Sequence, residues 1–469
     1  MENMTNRYAP PAGIDALCKN TVETTFDKLS EDNIRIFKDR LLDITGCIFG
    51  GSIVKEDQFL TQRLHDWGGK EEAPVFTKDF RLPLPSAVML NSLYARANDF
   101  GCMFFNVDGE HIASHCGETL IPMGLTLADV HGVSGEQFIT HNIAAEDITA
   151  RILYTLPVRW PMDMLLVSSA AAALASRYYD FDAAAMKAAL SFAATNCTDP
   201  ANAYYDYSQE FKYHNAESAR MGIMAAELAK GGWRGLEDPY FGHWGLVSRQ
   251  TADGGLPELY NKSFAGLGER YYTEESFKRY PGGIPTTAAA NCGKMLREQI
   301  IAADGVLDPE KVKQVHVYRS TSMRYNYYSN PFVLRNHTNA LFSFQFSACC
   351  ALCNGAVGVE LVQTDAILAH PELYRLAEES TMDVFEYEPG KSAVKVVADM
   401  TDGRSFEAIA DYGGSMHAYP SREFIENKFR AQFTAFGKLP ASVADQIIAL
   451  DKKIETLPDM REYTELLSL

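Results

Sequence analysis

Apolar residues recur at helical spacing through the first part of the chain. Ser30 precedes a run in which apolar side chains return every three or four positions, at Ile34, Ile36, Phe37, Leu41, Leu42 and Ile44. This pattern predicts an amphipathic helix that begins at a capping serine. The same spacing predicts helices over 59–67, 134–151, 165–178, 181–194 and 212–230. Up to about residue 272 no alternating strand pattern is evident, so we expect this part to be all-helical.

The pattern changes after residue 272. Segments 314–318, 357–362, 392–399 and 404–409 alternate apolar and polar residues, as strands do, and helical patterns cover 288–302 and 341–353. Residues 416–469 return to helical spacing. We therefore expect a mainly α protein: a large all-helical domain formed by 1–272 and 416–469, with a smaller α+β lid domain inserted at 273–415.

Composition narrows the possible binding partners and the compartment of the protein. The 469 residues carry a formal net charge of −18, which disfavours nucleic acid and anionic membranes as partners. The nine cysteines follow no disulfide or zinc spacing, which favours reduced thiols in the cytoplasm. We see no secretory signal and no apolar run long enough to cross a bilayer.

One short window concentrates the groups that can move a proton. Between residues 94 and 122 the chain carries seven of them: Asp99, Asp108, Glu110, His111, His115, Cys116 and Glu118. The pattern predicts a helix, an irregular loop and a second helix, and loops between rigid elements often hold catalytic side chains. The alternative is that the aspartates cap turns and the histidines are solvated.

Three further clusters combine positive charge with aromatic or imidazole groups. They are Lys278 with Arg279, then Arg324, Tyr327, Tyr328 and Arg335, and finally Lys212 with His214. Arginine and lysine can hold a carboxylate, and tyrosine can donate to it, so these clusters suit an organic acid. A solvated basic turn, a subunit contact and a structural histidine are the respective alternatives.

Sequence motifs argue against the common cofactors. The chain lacks the glycine-rich nucleotide fingerprints, a H-E-x-x-H metal motif and the G-x-S-x-G nucleophile turn. We therefore expect acid–base chemistry by Asp, His, Lys and Tyr, with no metal and no organic cofactor.

A series of segments, taken in order, resembles the MmgE/PrpD family, which includes 2-methylcitrate dehydratase, cis-aconitate decarboxylase and iminodisuccinate epimerase. The segments are FKDRLLDITGCIFGG, LNSLYARANDF, HCGETLIPMGLTLADVHGVSGEQF, SSAAAALASRYYDFD, KYHNAESARMGIMAAELAKGGW, FKRYPGG, NHTNALFSFQFSACCAL, VVADMTDGRSFE and ENKF. The resemblance implies a helical domain with an inserted α+β lid, a homodimer, and no metal or organic cofactor.

The resemblance also implies site residues. Asp99 matches the first aspartate of the family's D-F-D-D, His115 the histidine of H-P-S-G, Lys278 the lysine of K-P-Y-P, and His214 the histidine of K-x-x-H-A-G. Tyr327 or Tyr328 matches a pocket tyrosine.

The sequence departs from the family pattern in three places. Gly101-Cys102 replaces two carboxylates of D-F-D-D, Trp160-Pro161-Met162 replaces a histidine motif, and Lys212 lies one position closer to His214 than expected.

These assignments imply a mechanism and leave its outcome open. His115, oriented by Asp99, would exchange a proton with a carbon next to a carboxylate, while Lys278 and Arg279 hold that carboxylate and a tyrosine protonates a leaving group. Lys212, His214, Arg324 and Arg335 would help to bind a di- or tricarboxylic acid. A dehydratase is the first assignment, with decarboxylase and epimerase as alternatives. A catalytically silent binding or scaffold protein is the other class.

Overall fold

The structure is a computed structural model that describes residues 13–156, 166–197, 203–242, 244–250, 257–323, 327–412 and 418–469. The helices within these ranges, in chain order, are α1 Gly13–Glu23, α2 Glu31–Gly51, α3 Gln58–Trp67, α4 Leu84–Arg96, α5 Gly117–His131, α6 Gly135–Tyr154, α7 Val167–Tyr178, α8 Ala183–Ala193, α9 Ala203–Asp206, α10 Glu210–Lys230, α11 Leu246–Gln250, α12 Pro257–Phe264, α13 Ile284–Asp304, α14 His337–Leu341, α15 Phe344–Asn354, α16 Thr364–Leu368, α17 Pro371–Glu379, α18 Arg422–Phe436, α19 Ala441–Asp451 and α20 Arg461–Thr464. The strands are β1 Ala73–Pro74, β2 Arg81–Leu82, β3 Met103–Val107, β4 Glu110–Ile112, β5 Glu274–Ser276, β6 Val312–Ser320, β7 Thr381–Phe385, β8 Ala393–Met400 and β9 Ser405–Asp411.

The helices predicted from apolar spacing are present, and their starts have the expected caps. The side chain of Ser30 accepts from the backbone N–H of Asn33 at the start of α2. Asp182 does the same for α8 through the N–H of Ala185. Such caps satisfy backbone donors that the first helical turn leaves unpaired. The protein is mainly α, as predicted.

The expectation that residues 1–272 are all-helical is wrong. Strands β3 and β4 form a hairpin, and β5 pairs with the other edge of β3, giving a three-stranded sheet in the order β4-β3-β5. The hairpin turn is Asp108-Gly109, and both residues have positive φ, 52° and 84°. This backbone belongs to the two-residue turn that best matches strand twist. The predicted irregular loop is therefore largely a hairpin.

A second sheet lies in the later part of the chain. Its four strands run in the order β7-β6-β8-β9, with β6 and β7 parallel and the other pairs antiparallel. Three strand predictions are confirmed by β6, β8 and β9. The strand predicted over 357–362 is wrong, because this segment forms a loop with turns in which the three valines are buried and Glu360 is exposed. Strand β7 was not predicted.

Two large hydrophobic cores contain most of the buried apolar residues that the structure describes. The larger core draws on residues 14–277 and on residues 425–467, so the C-terminal helices pack with the first part of the chain. The smaller core lies within 288–408 and takes in Ala203 and Phe211. Small residues allow close helix packing in the larger core, since a Cβ at Gly222 of α10 would lie 2.4 Å from the Cβ of Ala171 on α7. None of the helices in the described ranges is both long and apolar enough to cross a membrane.

Candidate active site

Five buried charged or titratable side chains meet where β3, β5 and α5 come together. They are Arg96, Asp99, His115, Glu118 and Lys278. Arg96 ends α4, Asp99 follows in a left-handed turn with φ of 46°, and His115 and Glu118 flank the start of α5. The site thus unites three residues predicted from sequence with two that were not assigned to it.

Sheet register explains why Lys278 reaches Asp99. Met103 of β3 lies opposite Ser276 of β5 in an antiparallel pair. Residues that precede Met103 therefore lie beside residues that follow Ser276. Lys278 Nζ lies 2.5 Å from Asp99 Oδ1 and donates to the Asp99 carbonyl at 2.9 Å. The two residues are 179 positions apart in sequence.

The described hydrogen bond of His115 is to Glu118, whereas the sequence analysis expected Asp99 to orient this histidine. The Asp99 carboxylate is occupied by Lys278 and by Arg96, which donates to Oδ1 through Nη1. The partner of His115 Nδ1 is Glu118, whose Oε2 lies 3.2 Å away. His115 and Glu118 are three residues apart at the beginning of one helix, which brings their side chains to the same face. The described effect of Asp99 on His115 is that of its charge, which raises the pKa of His115.

Glu118 is a residue of the candidate site that the sequence analysis did not assign. Arg96 Nη1 lies 3.0 Å from its Oε2, and the backbone N–H of Gly101 donates to Oε1 at 2.9 Å. A Cβ at position 101 would lie 2.7 Å from Oε1 and 2.5 Å from Cγ of Glu118. The absence of a side chain at Gly101, which is a departure from D-F-D-D, therefore makes room for the Glu118 carboxylate. The sequence signal was a glutamate three residues after a histidine at a helix start.

Burial and neighbouring charges set the protonation of the two candidate proton carriers. Burial lowers the pKa of His115 well below its usual value, and the positive charges of Arg96 and Lys278 lower it further against the opposing effect of Asp99. Burial also lowers the pKa of Lys278, while Asp99 and Glu118 oppose that shift. His115 is consequently a neutral base at neutral pH, and its Nδ1–H can donate to Glu118.

A second buried charge cluster supports the start of α5. The Glu274 carboxylate accepts the N–H groups of Cys116 at 2.9 Å and Gly117 at 3.1 Å. Arg40 pairs with Glu146 and lies 3.5 Å from Glu274. Because the N-terminus of a helix attracts negative charge, Glu274 fixes the backbone that carries His115 and Glu118.

The predicted pair Lys212 and His214 lies on α10, next to a different buried group. Lys212 Nζ lies 2.6 Å from Asp57 Oδ1, and its charge contributes to lowering the pKa of His337 to about 3, mainly a burial effect. His337 Nε2 lies 3.0 Å from the carbonyl of Ala97, two residues before Asp99. His214 is half-buried. Lys212 is therefore connected to the Asp99 turn only indirectly in the described contacts, through His337 and Ala97.

The predicted tyrosines and arginines have mixed outcomes. Tyr328 is buried, and a Cβ at Gly283 would lie 2.1 Å from its hydroxyl, so this hydroxyl packs on the loop that follows Lys278. Arg279 is exposed and lies over the Phe424 ring, and Arg335 is also exposed. Neither arginine makes a described contact with Asp99, His115 or Lys278. Arg324, the Tyr327 side chain and the Trp160 segment lie outside what the structure describes.

The rest of the 94–122 window does not join the site. Asp108 pairs with Arg270, and Tyr154 donates to Glu110 at 3.1 Å. His111 is exposed on β4. All three side chains lie on the hairpin, so the sequence window combines a site with a surface element.

Three side chains of the site have the composition of a metal site. Ligand atoms of Asp99, His115 and Glu118 lie within 4.8 Å of one another. Arg96 and Lys278 already donate to, or pair with, these carboxylates, so protein cations supply the positive charge that the oxygens attract. The donor set does not fit a metal ion while these cations remain in place.

Comparison with protein-family models gives two matches. Residues 15–256 match the MmgE/PrpD N-terminal domain, and residues 280–456 match the MmgE/PrpD C-terminal domain. No curated protein matches the chain at a significant level. The matched domains support an enzyme of the lyase or dehydratase type in broad terms. Together they cover nearly the whole chain, and the protein belongs to the MmgE/PrpD family.

Proposed function

We propose that this protein is a cofactor-free lyase or isomerase that removes a proton next to a carboxylate of a small di- or tricarboxylic acid. A hydro-lyase that resembles 2-methylcitrate dehydratase is the first assignment. Enzymes resembling cis-aconitate decarboxylase or iminodisuccinate epimerase are the alternatives. The observation that carries the proposal is a buried His115 whose Nδ1 contacts Glu118 and whose pKa is lowered by burial, with Lys278 in the same cluster.

The contact between Nδ1 and Glu118 supports Nε2 as the nitrogen of His115 that accepts the substrate proton. When Nδ1–H donates to the carboxylate, Nε2 carries the lone pair that accepts the substrate proton. The electrons of the broken C–H bond then form an enediolate on the substrate carboxylate. The resulting imidazolium lies beside Glu118, which stabilises it as a carboxylate stabilises the histidine of a catalytic triad. The base therefore needs no metal-bound water.

Lys278 supplies the positive charge that an enediolate requires. Its ammonium group has three donors, of which the structure accounts for two at Asp99 O and Oδ1. A substrate carboxylate would take the third donor, and a lysine with a lowered pKa can also return a proton. Tyr328, whose hydroxyl packs on the loop that follows Lys278, is our candidate for protonating a leaving hydroxyl.

The nature of the substrate decides the product. A β-hydroxyl group leaves as water after the C–O bond breaks, which is dehydration. Without a leaving group, a proton returned to the opposite face gives epimerisation. A suitably placed carboxylate leaves as carbon dioxide when its C–C bond breaks. We further propose a homodimer, with 273–415 as the lid domain and with Lys212 and His214 contributing to acid binding.

The test is proton NMR of the purified protein in D₂O, without added metal or cofactor, with 2-methylcitrate, citrate, cis-aconitate, citramalate and iminodisuccinate. We expect deuterium incorporation or product formation with at least one acid, and a loss of roughly 10²–10⁴-fold in His115→Gln. His111→Gln is the matched control, because His111 is exposed on the hairpin and should retain wild-type rates.

Two outcomes would contradict the proposal in different ways. Wild-type rates in folded His115→Gln would remove His115 as the base. The absence of exchange with every acid in the folded wild-type protein would refute the proposed reaction on these substrates and favour a binding role.

A further inference from the structure

The turn that carries Asp99 is held by charged side chains at three consecutive residues. Lys278 Nζ donates to the carbonyl of Asp99 at 2.9 Å. The N–H of Gly101 donates to Glu118 at 2.9 Å. Between them, the carbonyl of Phe100 accepts from Lys428 Nζ at 2.7 Å. The first two contacts come from the site itself, whereas the third comes from α18.

Lys428 is buried where it meets this turn, and its charge is balanced by Asp43. Its Nζ lies 2.6 Å from Asp43 Oδ1 on α2 and 3.9 Å from the centroid of the Phe100 ring. The exposed fractions of the Lys428 and Asp43 side chains are 4% and 0%. Burying such a pair costs desolvation energy that apolar residues of the same volume would avoid. A positional role for the lysine would account for a buried pair at this place.

The Asp99 turn needs an external constraint. Its φ of 46° lies in the left-handed region, which is sparsely populated by residues other than glycine. A turn of this kind persists when its surroundings fix it. The Phe100 carbonyl and the Gly101 N–H belong to one peptide group, so the contact with Lys428 fixes the peptide that ends the Asp99 turn and that donates to Glu118.

We infer that Lys428, paired with Asp43, is a positioning residue that holds the Asp99–Gly101 turn in the geometry required for proton transfer. This inference rests on the proposed function, because the turn aligns Asp99, Lys278 and Glu118 around His115. It extends the set of residues that serve the reaction to the C-terminal helix, 328 positions from Phe100.

The test compares two charge-neutral double variants. Asp43→Asn with Lys428→Met removes the donor to Phe100 without leaving an unpaired buried charge. The control is Arg422→Met with Asp451→Asn, which removes the 2.5 Å ion pair between α18 and α19 together with the contacts of Arg422 to Asp39 and Glu426. None of these groups makes a described contact with the turn. Both variants weaken the docking of α18, but only the first one releases Phe100.

We expect kcat of D43N/K428M to fall by about tenfold or more with KM changed by less than about threefold, because a small misplacement of a catalytic group acts on the chemical step. The control should retain kcat. The single variant Lys428→Arg, which keeps the positive charge and a donor, should retain most of the wild-type kcat. Equal losses of kcat in the two double variants, or a wild-type kcat in D43N/K428M, would overturn the inference.

A readout that needs no turnover separates this inference from the proposed function. The pKa of His115, followed by nitrogen NMR and assigned with H115Q, depends on the charges of Asp99 and Lys278. It should change by about 0.5 or more in D43N/K428M and stay constant in R422M/D451N. If the wild-type protein exchanges no acid, the proposed reaction fails, and an unchanged pKa would refute the positioning role as well.

Discussion

Replacing Gly101 by alanine is the most direct perturbation of the His115–Glu118 pair, because it adds one methyl group and no charge. Its Cβ would lie 2.5 Å from Glu118 Cγ, 2.7 Å from Glu118 Oε1 and 2.7 Å from Ile44 Cδ1. Contacts this short force the neighbours to move. The glutamate would lose the N–H of residue 101 or its contact with His115, and either change alters the direction of the imidazole.

The expected magnitudes follow from overpacking and from misplacement of the base. Adding a methyl group to a packed interior costs about 1–3 kcal/mol of folding stability. Moving a catalytic group by about 1 Å lowers kcat by roughly 10²-fold. The substrate carboxylate is expected to contact Lys278, whereas the three atoms nearest to the new methyl group belong to Glu118 and Ile44. KM should therefore change much less than kcat.

The assay measures deuterium incorporation and product formation in G101A and in a control, and it measures unfolding by denaturant for both. Gly231→Ala is the control, because a Cβ there would meet no atom closer than 3.4 Å. A folded G101A with the wild-type kcat would refute the view that Glu118 needs the space at position 101 to orient His115.

A double variant that moves the carboxylate from position 118 to position 101 extends this test. The variant G101D/E118G returns the carboxylate to the position that the D-F-D-D pattern gives it and removes the group it would collide with. If the two positions share one role, each single substitution should lose more activity than the double variant. Residues in contact commonly show coupling energies of about 0.5–3 kcal/mol. Strict additivity of the two substitutions would show that their roles are independent.

Three more predictions concern the site and its support. Lys278→Met should lower kcat by about 10²–10⁴-fold if Lys278 carries a proton, and single-turnover NMR would show whether binding survives. Because burial and two cations lower the pKa of His115, the acid limb of the pH–kcat profile should lie below pH 6.5, and a limb at or above that value would contradict the neutral base. Burial raises the pKa of Glu274 from 4.5 to about 7. Between these two pH values the protein therefore takes up a proton at Glu274 when it folds. Stability from this group should be greatest below about pH 4.5 and should be lost as pH rises through about 7, a slope that Glu274→Gln should reduce in denaturant titrations.

The helices could be predicted because their signals are local. Ser30, Ser134 and Asp182 cap the helices that follow them, and apolar spacing defines the buried faces of α2, α6 and α8. The hairpin at 103–112 escaped prediction because its strands are short and rich in apolar residues that suit either structure. Its turn, Asp108-Gly109, was the available signal, since this pair favours the positive φ angles of a tight hairpin.

The candidate site could be predicted only where a motif marks it. Asp99, His115 and Lys278 were assigned from resemblance, and the structure brings all three together. Glu118 and Lys428 were not assigned, because their roles arise from tertiary contacts. Glu118 becomes the partner of His115 only through the empty space at Gly101, and Lys428 reaches Phe100 only when α18 packs on α2. The spacing of His115 and Glu118 is a local signal for the first contact, whereas no local pattern encodes the contact between Lys428 and Phe100.

The balance of charge within the site explains how a buried cluster could support the proposed proton transfer. Arg96 and Lys278 oppose Asp99 and Glu118, so these four groups are neutral in sum when His115 is neutral. Moving a proton from substrate to His115 creates an imidazolium beside Glu118 and an enediolate that we expect beside Lys278. Each new charge thus forms next to an opposite charge that is already fixed, and little reorganisation accompanies the transition state. Asp99 pairs with Lys278, which we expect beside the enediolate, and Glu118 contacts His115, which we propose as the base. Both carboxylates depend on the same short turn, because Asp99 belongs to it and Glu118 accepts the N–H of Gly101.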